Sequence, residues 1–124
     1  MRIFKNKWFC KFARDEGISD ARLRKAIEEA ERGLIDADYG GGVIKQRIAR
    51  PNEGKSGGYR AIILFRREER SFFVYGFSKN ARENISKDEE RAFKELAKIT
   101  FALSDDELET LIKKGAFKPV EYHE

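Results

Sequence analysis

The chain reads VIKQRIAR at residues 43–50, YRAIILFR at residues 59–66 and SFFVYGFS at residues 71–78. Each run is rich in Ile, Phe, Val and Tyr, the β-branched and aromatic side chains that suit a pleated surface. Pro51 to Gly58 separates the first two runs, and the short turn Arg67-Glu68-Glu69-Arg70 separates the last two. Connections this short return the chain antiparallel to itself, so the three runs predict a β-meander. The second and third are apolar at both alternating positions, which predicts a central pair covered by helices on at least one face.

Helical patterns flank the meander. Upstream, Trp8, Phe9 and Phe12 have helical spacing and Gly17 ends that element, while Met1 to Phe4 is a candidate first strand. Ser19 is an N-cap for a second helix carrying Leu23, Ile27, Ala30 and Leu34 on one face, with Gly33 as its stop. Asp36 to Gly42, with three successive glycines, reads as a loop in which Asp36 and Asp38 serve the turn. Downstream, Ser86 opens a helix with Asp88 and Glu89 in its first turn and Phe93, Leu96, Ala97 and Thr100 along one face. Ser104 with Glu107 is a capping box for a further helix holding Leu108, Leu111 and Ile112, which Gly115 ends. Ala116 to Glu124 is a tail or an added strand. The order predicts an α+β fold of N-terminal helices, an antiparallel meander and C-terminal helices.

At 124 residues with 40% hydrophobic content and ten Phe, the chain suits one domain around one core, residues 1–124. The charged fraction is high at 39%, but both signs are interspersed with periodic apolar residues, which disfavours disorder. Its single cysteine, Cys10, excludes an internal disulfide, and its place beside Trp8, Phe9 and Phe12 predicts a buried, inert thiol. The single histidine, His123, leaves one chain unable to assemble a zinc site or a histidine triad, so neither metal nor cofactor is expected. No segment approaches the roughly 18 apolar residues of a membrane span and none has signal-peptide form. A soluble cytoplasmic protein is expected.

The charge is uneven. The net charge is +4, yet residues 43–82 hold ten Lys and Arg against three Glu, a local +7, and the rest of the chain sums to −3. A polyanion is therefore the expected partner, against the plainer reading of a solvated basic face. Strand alternation puts Lys45 and Arg47 on one face, opposite Ile44 and Ile48. Arg60 starts the adjacent strand, Arg50 ends the first strand, Lys55 lies in the connecting loop, Lys79 ends the third strand and Arg82 follows it. All of these can converge on one end of the sheet, where a phosphodiester would fit, and Tyr59 and Tyr75 are candidates to stack on bases. Ala49 to Ser56, ARPNEGKS, satisfies a relaxed phosphate-loop pattern, but Gly57-Gly58-Tyr59 and a strand follow where such a loop needs a helix N-terminus. It reads as a hairpin loop.

Two stretches, KQRIAR with GKSGGYRAII at residues 45–63 and FFVYGFSKNARENI at residues 72–85, resemble the RelE/HigB superfamily of type II toxin-antitoxin systems. The order of elements agrees over roughly residues 1–100, leaving residues 104–124 as a C-terminal helical extension. The resemblance implies a ribonuclease that cuts messenger RNA in the ribosomal A site without a metal, by attack of the 2′-hydroxyl on the adjacent phosphate. It further implies that Lys45 and Arg47 are the basic pair on the strand before the loop, that Arg60 binds the scissile phosphate and that Lys79 is the basic tip of the last strand. Arg60 would then stabilise charge on the phosphoryl oxygens, Lys45, crowded by Arg47, would take the 2′-hydroxyl proton, and Lys79 or Lys55 would serve the leaving 5′-oxygen.

The chain also departs from the family pattern. It has Lys79-Asn80 where a second arginine is usual, with Arg82 two residues on, and no tyrosine near Ile85-Ser86. Tyr122-His123 is a candidate substitute for a terminal His-Tyr pair. The implied partners are the ribosome, messenger RNA and a cognate antitoxin with a helix-turn-helix. The alternatives are a ParE-like inhibitor of DNA gyrase and a non-catalytic nucleic-acid-binding module.

Overall fold

A computed structural model of the chain describes residues 1–50 and 54–121, with the backbone alone at residues 50 and 54–57. In chain order these residues form β1 (Arg2–Asn6), α1 (Lys7–Glu16), α2 (Asp20–Glu31), β2 (Ala37–Gly40), β3 (Val43–Arg50), β4 (Gly54–Arg66), β5 (Arg70–Ser78), α3 (Lys87–Phe101), α4 (Asp105–Lys113) and β6 (Phe117–Pro119). The strands make one six-stranded sheet in the order β2-β3-β4-β5-β1-β6. The fold is α+β, as predicted, with the meander β3-β4-β5 at its centre. β1 runs parallel to β5, and the other pairs are antiparallel.

The helices start where the sequence places caps. Ser19, Ser86 and Ser104 each accept a hydrogen bond from the backbone three residues on, and Glu89 and Glu107 return the bond to complete two capping boxes. α1 is capped by Asn6, whose Oδ1 accepts from the Phe9 amide at 2.8 Å, while its Nδ2 donates to the Val74 carbonyl at 3.2 Å. α2 stops at Glu31, so Leu34, expected on its inner face, lies beyond the helix and is 59% exposed. Cys10 is half-buried rather than enclosed.

Alternation along the strands divides the apolar residues between two cores. Ile44, Ile48, Tyr59, Ala61, Ile63 and Phe73 meet α1 and α2 on one face. Val43, Ile62, Leu64, Phe72 and Phe77 meet α3 and α4 on the other. Burying each large side chain stabilises the fold by roughly 1.5–3 kcal/mol, and with both faces covered this central pair anchors everything else.

One segment departs from the sequence reading, and the two candidate strands at the ends of the chain take pairings it did not specify. Asp36 to Gly42 is not wholly loop: residues 37–40 pair antiparallel with β3, through an irregularity between Asp38 and Gly40, and Gly41 and Gly42 turn at positive φ. A four-residue strand with a register shift leaves no alternation to read. β1 lies between β5 and β6, with Phe4 opposite both Phe72 and Pro119. The C-terminal segment thus completes the sheet, and the Val120 amide donates to the Ile3 carbonyl at 2.8 Å.

Close approach at β5 depends on Gly76. A Cβ there would stand 2.5 Å from Cε2 of Phe12, whose ring is held by Trp8 at 5.4 Å, Phe9 at 5.5 Å and Tyr59 at 5.8 Å between centroids. Gly76→Ala should therefore cost about 1–3 kcal/mol of stability in a urea titration, as other overpacked sites do. Truncation after Leu103 removes β6 and the buried Leu108 and Val120, and should lower the thermal midpoint; an unchanged midpoint would show that these residues support nothing.

Candidate active site

Lys45, Arg47 and Arg60 meet around one carboxylate. Arg47 and Arg60 are directly opposed across the β3–β4 ladder, and Lys45 lies two residues from Arg47 on the same face. Asp36, just before β2, reaches into them: its Oδ1 accepts from Nε of Arg47 at 3.0 Å, and its Oδ2 lies 3.5 Å from Nε of Arg60 and 3.6 Å from Nζ of Lys45. Arg60 is only 5% exposed, whereas the Arg47 side chain is half in solvent. Among the described residues, three cations around one anion leave an excess of two positive charges at a surface opening.

The opposite face of β3 sets this geometry. Gln46 is 2% exposed and points into the α2 side of the sheet. Its Nε2 donates to the carbonyls of Leu34 at 2.8 Å and Ala26 at 3.1 Å, and its Oε1 accepts the Asp36 amide at 3.0 Å. A buried amide left unpaired costs free energy, so these bonds fix the residue 34–36 segment on β3. One strand thus carries two of the cations and the strut that aims the carboxylate at them. A cleft beside Asp36 and Arg47 is walled by Leu34 and Ile35 and floored by Gln46.

Sequence reasoning assigned Asp36 to turn chemistry, and with it missed the group that organises the site. The signal available was an acid preceding a segment that could pair with the cationic strand; the glycine triplet concealed that pairing. The like-charge crowding expected of Lys45 and Arg47 is offset by this carboxylate.

The other expected residues are placed differently. Lys79 is exposed in the turn after β5, at the same end of the sheet as Arg60, and its amide donates to the Gly58 carbonyl at 3.3 Å. Tyr59 is 3% exposed, and its hydroxyl donates to Oε1 of Glu16 at 2.9 Å, so it is a core residue and offers no face to a base. The Tyr75 ring is half-buried and packs against Trp8 at 4.6 Å, Phe93 at 5.9 Å and Phe77 at 6.0 Å, so neighbouring rings already occupy much of an expected stacking platform. Arg82 binds both carboxylate oxygens of Glu89, at 2.6 and 3.1 Å, donates to the Tyr75 hydroxyl at 3.1 Å and to the Asn84 carbonyl at 2.8 Å, and lies over the Phe77 ring. Its guanidinium ties α3 to the sheet. The side chains of Arg50 and Lys55 lie outside the described residues, as do Tyr122 and His123; the backbone of Gly54 to Gly57 is strand, so no helix follows Lys55-Ser56.

Among the described residues no helix is long and apolar enough to cross a membrane. Compared with models of protein families, residues 1–120 match the RelE toxin of the RelE / RelB toxin-antitoxin system, a match that extends through α4 and β6. No curated protein matches the chain.

The contact between Arg82 and Glu89 should be visible in acid. The Arg82 guanidinium, together with the Ser86 amide, holds the Glu89 carboxyl down at about 2 from an ordinary 4.5. A carboxyl lowered on folding stabilises the native state above its unfolded value and loses that contribution as pH falls toward its folded value. The difference in thermal midpoint between the parent and Glu89→Gln should therefore be constant above about pH 5 and shrink between pH 4.5 and about 2.

Proposed function

Since the chain belongs to the family of RelE toxins of toxin-antitoxin systems, we propose that it is a ribosome-dependent endoribonuclease that cuts messenger RNA and so arrests translation. Family membership implies an antitoxin partner; messenger RNA and the ribosome are the targets of this reading. What supports it is the convergence of Lys45, Arg47 and Arg60 on a single anion, with the least exposed of the three an arginine. A binding surface needs positive charge spread along a backbone, whereas phosphoryl transfer needs charge focused on one group.

In this mechanism the scissile phosphate takes the centre of the three cations. The 2′-hydroxyl oxygen attacks phosphorus, the bond to the 5′-oxygen breaks, and a 2′,3′-cyclic phosphate and a 5′-hydroxyl result. Arg60 and Arg47 stabilise the negative charge that grows on the nonbridging oxygens, where a rigid fork of donors suits a phosphoryl group better than a point charge. Lys45 and Lys79, the latter at the exposed tip, are the candidates to take the proton from the 2′-oxygen and to supply one to the 5′-oxygen. With Tyr59 buried and Tyr75 packed among other rings, the apolar wall of Leu34 and Ile35 is a candidate surface for a flanking base.

The test is toeprinting on a translated message with purified ribosomes. The parent chain should cut within the A-site codon. Arg60→Ala should reduce cutting by about 10²–10³, the usual loss when a donor to a developing oxyanion is removed, and Arg60→Lys should restore little of it because the fork is missing. Absence of cuts from a parent chain that still arrests growth would overturn this reading.

A further inference from the structure

Asp36 does more than organise the cations, and we infer that it is a specificity-determining residue: its carboxylate occupies the phosphate position in the free protein and weakens capture of RNA that no ribosome presents. This inference rests on the reading that an RNA phosphate enters the cluster. A substrate phosphodiester has the charge of the carboxylate and needs the same donors, Nε of Arg47, Nε of Arg60 and Nζ of Lys45, which lie 3.0–3.6 Å from the Asp36 oxygens. The two anions cannot both sit among them, because like charges that close repel strongly where water is scarce. Arg60 and Lys45 are shielded enough for the pairing to be only weakly screened.

The carboxylate is also held in place. The Asp36 amide is fixed to Gln46, a buried strut satisfied on both sides, so the competing anion is part of the scaffold rather than a passing side-chain contact. RNA must displace it, and the energy to do so comes from contacts made outside the cluster. A message held on the ribosome is positioned in advance, and its phosphate meets the site at high effective concentration. Free RNA has no such help, so a cluster without Asp36 would bind it indiscriminately.

The experiment measures binding of a single-stranded 2′-O-methyl oligoribonucleotide of roughly ten nucleotides, within the usual site size, to the full chain without ribosomes. This probe has no 2′-hydroxyl to react, so the readout is independent of cleavage. Asp36→Asn and Asp36→Ser should each bind at least about tenfold more tightly than the parent. The slope of log Kd against log salt should steepen by about 0.7, the single-strand value for one more phosphate neutralised. The control is Asp106→Asn, which removes the same charge from an exposed position on α4, a helix followed by β6 at the opposite edge of the sheet from β2; it should change affinity by less than about twofold at moderate salt.

Binding by both Asp36 variants no tighter than by the control would overturn the inference, and so would failure of both to fold, which would assign Asp36 to stability alone. Cuts by the parent chain with no gain from Asp36→Asn would leave the ribonuclease reading standing without this one. Tighter binding by the Asp36 variants, with no cuts by the parent, would do the reverse.

Discussion

Ala61, Ile62, Ile63 and Leu64 are successive residues of β4, and none of the four is exposed to solvent. Because successive side chains of a strand point to opposite faces, such a run is stable only where both faces are covered. That condition places α1 and α2 on one side and α3 and α4 on the other, and it sets the register of β3 and β5 on either flank. A slip of one residue would exchange the two cores. Slipping β3 alone would also carry Lys45 and Arg47 to the face where Ile44 and Ile48 now pack, away from Arg60 on β4. The position of the cations is thus a consequence of hydrophobic register, held by far more free energy than the charges themselves contribute.

The same register explains which parts of the molecule could be read in advance. The caps Ser19, Ser86 and Ser104 and the strands of the meander rest on local signals, turn residues and periodicity, and they appear where those signals stand. β2 and the parallel placement of β1 rest on pairing between distant segments, which leaves no period in either one. In the site, Lys45, Arg47 and Arg60 could be placed together because strand alternation is local. Asp36 could not, because its role depends on the strut from Gln46 and on an edge strand too short to announce itself. Tyr59 and Tyr75 show the converse: an aromatic ring in a strand beside basic residues has the same sequence appearance whether it faces a base or a helix.

Regional charge likewise overstates what is offered to a polyanion. Of the ten cations between residues 43 and 82, Arg70 donates to the Leu103 carbonyl and pairs with Asp105, Arg66 lies 4.5 Å from the Phe101 ring centroid, and Arg82 is bound to Glu89. Each anchors a C-terminal helix to the sheet. Even the three that converge at the site carry an internal counter-charge. What distinguishes that site is therefore the focus of its charges and their limited access to water, which net charge does not describe.

The place of β1 between β5 and β6 has a temporal side. A chain made from its N-terminus exposes Ile3 and Phe4 long before their neighbours, since Ser71 and Phe72 follow nearly 70 residues later and Pro119 and Val120 well over 100. Strands that wait for distant partners close slowly, since loop entropy must be overcome before the contacts that reward it exist. The hairpin bearing the cations joins neighbouring segments and can form early, while the sheet that supports it is completed only when β6 closes on β1. The cations can thus be brought together on a hairpin whose scaffold is still open.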